Sequence, residues 1–195
     1  YYDDYVKNGS YQKNDVFTWF GEPFTELAGK TWGIIGLGAI GRKVADIAKA
    51  FGAHVIYYSA SGRPVQEGYE QVDLNTLLRT SDVISVHAPL NEYTENLMDK
   101  AAFAKMKRSA IFLNLGRGPI VVEEDLAEAL KQGTIAAAGV DVLRTEPIQP
   151  DNPLLAIKDS HKLLITPHIA WASTEARTRL MQIVFDHVKG FAEKR

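Results

Sequence analysis

Cysteine is absent from all 195 residues. Disulfide scaffolds, thiolate zinc sites and cysteine nucleophiles are therefore excluded, and a reducing compartment such as the cytosol is permitted. Charge of one sign is also lacking: 22 Lys and Arg against 24 Asp and Glu leave a net charge of −2. No basic field is present to attract nucleic acid. No apolar run approaches the roughly 20 residues that span a bilayer, so no membrane partner is expected. The opening Tyr1-Tyr2-Asp3-Asp4 lacks both an initiator Met and a signal-peptide pattern, as a fragment or a processed chain would. Internal repeats, low-complexity stretches and clusters with metal-ligand spacing are missing as well.

What is present is the balance of an ordinary globular protein, 46% hydrophobic and 24% charged, long enough for one good core. From Thr31 onward, short β-branched runs alternate with helical patterns. Strands are expected at Thr31–Leu37, His54–Ser59, Asp82–Ala88, Ala110–Leu115, Ala136–Leu143 and Leu163–Thr166. Runs such as Val83-Ile84-Ser85-Val86 are nearly continuously apolar, which suits strands buried on both faces. Helices are expected over Ala39–Phe51, Glu123–Gln132 and Glu175–Glu193. Acidic Glu123, Glu124 and Asp125 stand at the positive end of the second, and Gly133 lies just past its close. Ser173 or Thr174 is placed to cap the third, which carries Leu180, Ile183, Val184, His187, Val188 and Phe191 on one face. The pattern predicts an α/β fold, a doubly wound parallel sheet of Rossmann type with helices on both faces, over residues 31–195. Residues 1–30 read as a lead-in helix and an aromatic-rich connector. Tyr1, Tyr2, Tyr5, Tyr11, Phe17, Trp19, Phe20 and Phe24 either pack on the domain's own surface or meet a partner subunit or another lobe.

Gly36-Leu37-Gly38-Ala39-Ile40-Gly41 fits G-x-G-x-x-G between an expected strand and an expected helix. Gly36 permits the tight turn, Gly38 lets backbone approach a pyrophosphate, and Gly41 lets helix and strand pack closely. The helix N-terminus, at Ala39 and Ile40, supplies free N–H groups for phosphate. A dinucleotide is the expected cofactor. An acid about 20 residues on would hold the adenosine ribose, but the second strand ends in Ser59, with Arg63 nearby. A serine hydroxyl can bind a ribose hydroxyl directly, which favours NAD. The missing acid and Arg63 leave NADP open.

Ligands of open α/β sheets sit beyond the carboxyl ends of the strands. Three late strands lead to an ionisable group there: Arg117, Glu146 and His168. An arginine clamps a carboxylate in fork geometry, a histidine protonates a nascent alkoxide, and a carboxylate keeps that histidine charged. Such a set suits reduction of a 2-oxo acid by an organic cofactor, with no metal. His87, closing the third strand, competes with His168 on position alone.

These residues sit in a longer pattern. Glu26-Leu27-Ala28-Gly29-Lys30-Thr31 leads into the glycine turn. Ser81-Asp82-Val83, His87-Ala88-Pro89-Leu90, Thr94 with Leu97, and Met106-Lys107 follow in order. Asn114-Leu115-Gly116-Arg117-Gly118, Gly139-Val140-Asp141-Val142 with Glu146-Pro147, and Thr166-Pro167-His168-Ile169-Ala170-Trp171 complete it. From Phe24 to Phe191 the chain resembles the D-isomer-specific 2-hydroxyacid dehydrogenases, and its last motif looks most like the glycerate dehydrogenase (hydroxypyruvate reductase) branch. The resemblance implies Arg117, Glu146 and His168 as catalytic residues and moves His87 to the cofactor pocket. It implies Asp141 as the acceptor of the nicotinamide carboxamide. Ala88, Pro89, Thr94, Leu115, Gly116, His168 and Ala170 become further cofactor neighbours. It also implies a homodimer, a cytoplasmic location, a small 2-oxo or 2-hydroxy acid as substrate, and a substrate lobe supplied by chain outside this sequence. Dinucleotide-sensing corepressors share the fold and are the rival reading. Formate dehydrogenases carry an amide where Glu146 stands.

Overall fold

Strands that are apolar on both faces need cover on both, and the connections between them supply it. The computed structural model describes residues 2–21, 23–62 and 68–193. A short helix α1 (Tyr2–Lys7) precedes β1 (Thr31–Ile35), α2 (Ala39–Ala50), β2 (His54–Tyr58), β3 (Glu70–Gln71), α3 (Leu74–Thr80) and β4 (Val83–Val86). Then come α4 (Lys100–Phe103), β5 (Ile111–Asn114), α5 (Glu123–Gln132), β6 (Ala137–Val140), β7 (Leu163–Ile165) and α6 (Thr174–Ala192). All the strand pairs are parallel, in the order β3-β2-β1-β4-β5-β6-β7. The chain starts at the centre, winds out to β3, returns across the sheet and winds out the other way. The reversal falls between β1 and β4, where a crevice opens beyond the strand ends.

Strand alternation divides the core. Ile35, Ile56, Ile84, Val86 and Phe112 face Leu77 and Leu78 of α3, Phe103 of α4, and Leu126 and Leu130 of α5. Phe103 meets Phe112 edge to face at 5.4 Å. Ile34, Val55 and Tyr57 point the other way, onto Ala45 and Ala48 of α2. Each fully buried Leu, Ile or Phe contributes about 1.5–3 kcal/mol, so the larger cluster dominates stability.

The structure differs from the sequence reading in three respects. The strands at β1, β4 and β6 end two or three residues earlier than expected. Gly36 at φ +92° turns the chain out of the sheet, and residues 87–88 and 141–143 lie beyond β4 and β6. Those apolar extensions form the rim of the crevice. The short α3, α4 and β3 went unread because two to seven residues are too few for a visible period. Their signals were local: Asp73 accepts from the N–H of Thr76, and Asp99 from that of Ala102, as N-caps. Finally, the acids opening α5 do more than offset the dipole. Asp125 accepts from the N–H of Lys100 at 2.8 Å, and buried Glu123 accepts from Arg144 N–H and Asn152 Nδ2.

Caps elsewhere agree with the sequence. Ser173 caps α6 through the N–H of Ala176, and Gly133 closes α5 in the left-handed region. The apolar stripe of α6 is there too, but no residue of the helix is buried. In the lead-in, Tyr5 stacks on Trp19 at 4.2 Å and Tyr2 meets the same ring edge-on, while Phe17 stays 91% exposed.

The turn at Gly36 is the tightest point of the crevice: a Cβ there would stand 2.7 Å from the backbone of Ala88. Gly36→Ala is expected to destabilise the fold by about 1–3 kcal/mol, through strain at positive φ and displacement of the residue 88 segment. Urea unfolding checks this; an unchanged midpoint would show that the β1–β4 junction has slack.

Candidate active site

The glycine turn builds the first wall. Gly36 presses on Ala88, and a Cβ on Gly41 would meet the Gly36 carbonyl oxygen at 2.3 Å, so α2 sits close on β1. A Cβ on Gly38 would meet nothing within 4 Å; the space above it is open. Gly38 is also the N-cap of α2 and offers no side-chain cap, which leaves N–H groups of the first turn unpaired. This combination fits the pyrophosphate of a dinucleotide. A cavity of about 390 Å³ lies over the turn, between Gly36, Gly38 and Ala39 on one side and Ala88, Pro89 and Thr94 on the other. Thr94 is buried and holds its own loop, donating to the Pro89 carbonyl and accepting from the N–H of Asn91. At the far end stand Ser59 and Ser61, their hydroxyls 3.2 Å apart. Arg63 lies outside the described residues.

A second cavity of about 830 Å³ continues along the rim and brings together Ile40, His87, Leu115, Arg117, Asp141, His168 and Ala170. Gly116 sits at the junction of the two, where a Cβ would stand 3.0 Å from the Ala88 carbonyl oxygen. Buried Asn114 braces the loop that carries Arg117, accepting from the N–H of Gly116 and donating to the Arg117 carbonyl. The Arg117 guanidinium donates to the Gly116 carbonyl at 2.8 Å. Glu146 faces a third cavity, of about 530 Å³, with His168 and Asp141 on the shared wall.

His168 and Glu146 meet directly, Nδ1 to Oε2 at 2.7 Å. The other carboxylate oxygen accepts from the N–H of Leu143. Burial pulls the Glu146 pKa upward, but the hydrogen bonds from His168 and Leu143 and the His168 charge outweigh it and hold it below the usual carboxylate range. With Nδ1 engaged, Nε2 of His168 has no protein partner among the described residues. His87 is its opposite. Burial pushes the His87 pKa down, so the ring stays neutral near pH 7. Its Nε2 lies 3.1 Å from the Ser85 hydroxyl, which accepts from Trp32 Nε1, and its Nδ1 is buried without a partner. A charged general acid therefore fits His168 and not His87, a choice that strand position alone left open.

His168 adopts φ +55°, a left-handed conformation that costs a side-chain-bearing residue about 1–2 kcal/mol. Asp141 supplies the compensation. Only 5% exposed, it accepts at Oδ1 from the Thr166 hydroxyl and the Ile169 N–H, and at Oδ2 from the Ala170 N–H. Its backbone carbonyl accepts from the His168 N–H at 2.8 Å. Burial alone would raise the Asp141 pKa; those hydrogen bonds and the His168 charge reverse it, and the net shift is downward. Oδ2 retains capacity for one more donor.

Several wall residues escaped the sequence reading. Arg42 and Asn91 line the first cavity, and Trp32, Trp171 and Leu180 the second. Helical spacing held the signal for Arg42, one turn after Ala39; strand alternation held it for Trp32, which shares a face with Ile34. Trp171 and Leu180 depend on where α6 lies, which no local pattern specifies.

Residues 1–170 match the family model for the D-isomer specific 2-hydroxyacid dehydrogenase, NAD binding domain. The chain is 44% identical over 193 residues to a hydroxypyruvate reductase of Blautia hydrogenotrophica, covering 98% of this chain and 59% of that protein. It is 42% identical over 190 residues to a glycerate dehydrogenase of Methylorubrum extorquens, covering 97% and 59%. Among solved structures, a D-lactate dehydrogenase from Aquifex aeolicus complexed with NAD and lactic acid superposes with a TM-score of 0.84 at 28% identity, covering 99% of this chain and 61% of that one. The chain thus spans somewhat over half the length of the relatives it matches. No helix among the described residues is long and apolar enough to cross a membrane.

The hydrogen bonds of Asp141 yield a pH test. A carboxylate whose pKa is lowered by folding contributes stability that is present above its ordinary value of 3.8 and is lost as pH falls through the lowered one. Asp141→Asn, which sets an amide NH₂ against backbone donors, is expected to cost about 1–3 kcal/mol at pH 7. The gap to wild type should shrink below pH 3.8, as the native carboxylate protonates. Urea unfolding at pH 7 and pH 3 measures it, and a constant gap would contradict the role given to the charge.

Proposed function

Because the chain belongs to the D-isomer specific 2-hydroxyacid dehydrogenase family, as its NAD binding domain, we propose that it is the cofactor-binding part of an oxidoreductase that interconverts a 2-oxo acid and a D-2-hydroxy acid. The names of the relatives point to substrates of the hydroxypyruvate, glyoxylate or D-glycerate type. Bound NAD(H) supplies or accepts the hydride at C2. The observation that carries the reading is the 2.7 Å His168–Glu146 pair, on the rim where Arg117 also stands. Reduction at C2 leaves an alkoxide that needs a proton. His168 gives it from Nε2 while Nδ1 stays held by Glu146, whose charge stabilises the imidazolium. Arg117 orients the substrate carboxylate in fork geometry. Gly36, Gly38, Ala39, Ile40, Gly41, Ser59, Ala88, Pro89, Thr94, Leu115, Gly116 and Ala170 hold the cofactor. The remaining acceptor capacity of Asp141 Oδ2 suits the amide N–H of a carboxamide.

Within the longer protein, residues 31–195 form the dinucleotide-binding domain, residues 1–30 the connector, and chain outside this sequence the substrate lobe. The enzyme is placed in the cytoplasm. It is assigned a two-fold homodimer, the commonest closed symmetry, which would cover the exposed Ile47 of α2, Phe51 just past its end, Phe17 and Phe20. Light scattering at tens of micromolar is expected to give twice the protomer mass; a monomer would contradict this.

The catalytic assignment is tested in the full-length enzyme. Glu146→Gln keeps a hydrogen-bond partner and removes the charge, so the upper pH limit of 2-oxo acid reduction should move to lower pH. His168→Ala should cost on the order of a hundredfold or more in kcat, the usual scale of general acid catalysis. A Glu146→Gln profile that does not move would show that the pair has no part in the proton transfer.

A further inference from the structure

Only Asp141 and His168 line both the second cavity and the third. Trp32 and Val44 of the second pack against the smaller core cluster, whereas Ile148 and Ile165 of the third pack against the larger. The two cavities therefore open on opposite faces of the sheet edge, with the His168 segment between them. The dinucleotide and the substrate are assigned to the first and second cavities, which leaves the third unassigned. Its volume of about 530 Å³ is that of a small-molecule site. Leu143, Pro147, Ile148, Ile165 and Pro167 give it an apolar lining. Its charged wall sets two carboxylates, Glu146 and Asp141, against one imidazole, and no Lys or Arg lines it among the described residues. Asp141 is 5% exposed and already takes three donors. Glu146 takes one donor on each oxygen, the Leu143 N–H and His168 Nδ1, and each oxygen has room for another.

We propose that the third cavity is an effector site for a small primary amine with an apolar body. The ammonium binds Glu146, the carboxylate within its reach, and the body fills the space between Ile148 and Ile165. An alkyl ammonium stays charged to about pH 10, and an acceptor-only wall above an apolar lining selects it over an anion of the same shape. Binding has a consequence for His168, because the ammonium competes with the imidazolium for one carboxylate. The charged form of His168 loses part of its counter-ion, so the general acid is present only at lower pH. The other charged or titratable groups around the pair are Asp141 on the shared wall and Arg117 and His87 in the second cavity. Arg117 and His87 do not line the third, so the amine acts on the pair through Glu146. This inhibition rests on the 2-oxo acid reductase reading above; the binding of the amine does not.

The test uses the full-length enzyme and three ligands of one shape: cyclohexylamine, cyclohexanol and cyclohexanecarboxylate. By calorimetry the amine is expected to bind about fivefold or more tighter than the alcohol, and the carboxylate weakest. Saturating NADH should change the amine affinity by no more than about twofold. Saturating amine should move the upper pH limit of 2-oxo acid reduction to lower pH, while the alcohol leaves it in place. Ile165→Trp fills the cavity and should weaken both amine and alcohol by about tenfold or more. Ile148→Trp fills it from the loop and serves if circular dichroism shows the first variant unfolded. Glu146→Gln should bring amine and alcohol to equal affinity. Equal binding of the three ligands by wild type overturns the proposal. So does an amine displaced by NADH, or one indifferent to both tryptophan variants. If the full-length enzyme binds none of the three, the rest of the protein fills the cavity and the proposal fails. If the amine binds as expected but no 2-oxo acid is reduced, the catalytic reading falls and the amine site stands.

Discussion

The Asp141 carboxylate holds the rim that carries His168 in shape. It is buried at the end of β6 and collects a hydroxyl and two backbone N–H groups from the segment after β7. That segment contains His168 in a left-handed conformation, which an isolated loop would leave within microseconds or faster. Charge-assisted hydrogen bonds are roughly twice as strong as neutral ones, and three of them converge here on one carboxylate. The same residue's backbone carbonyl accepts from the His168 N–H. Strain at one residue is thus held by charge at another, and the result is an imidazole directed at Glu146. Had an apolar residue stood at position 141, the N–H groups of Ile169 and Ala170 would have lost these partners.

Two histidines near one rim illustrate how environment divides function. His87 lies deeper, against a hydroxyl that already accepts from Trp32, and desolvation keeps it neutral. His168 sits at the surface with a carboxylate on Nδ1, so its charged form has a counter-ion and its Nε2 faces no protein partner among the described residues. Neither difference can be read from strand position, because both side chains follow strands at the carboxyl edge. What separates them is burial and the identity of one neighbour.

Much of this was legible in the sequence where the signal is local. The glycine turn, the apolar strands and the cap of α6 each depend on a few adjacent residues. Arg117, Glu146 and His168 could be set on one edge from the rule that strand ends carry the ligand. Their pairing could not: the contact between residues 146 and 168 crosses from one strand-end loop to another, and only the register of β6 against β7 fixes it. The strands read too long because Val142, Leu143 and Ala88 are as apolar as their neighbours, yet they lie beyond the last paired residue. Apolarity reports burial, and here the buried extensions are rim rather than sheet. The exposed stripe on α6 shows the same limit from the other side, since amphipathicity marks a face to be covered without saying by what.

Exposure also says what the rim still requires. The side chains of His168 and Glu146 are 38% and 37% exposed, so water screens their attraction and competes for Nε2. An ion pair at that level of solvation is worth little for stability; its value lies in fixing a tautomer and a direction. Proton donation to an alkoxide becomes efficient when the site is closed and the local dielectric falls, because each interaction then strengthens without further rearrangement. The Rossmann-type sheet brings Arg117, Glu146 and His168 to one open edge. That division follows from topology: a parallel sheet gathers its strand ends on one edge and can place chemistry there, but it has no element of its own to fold over that edge.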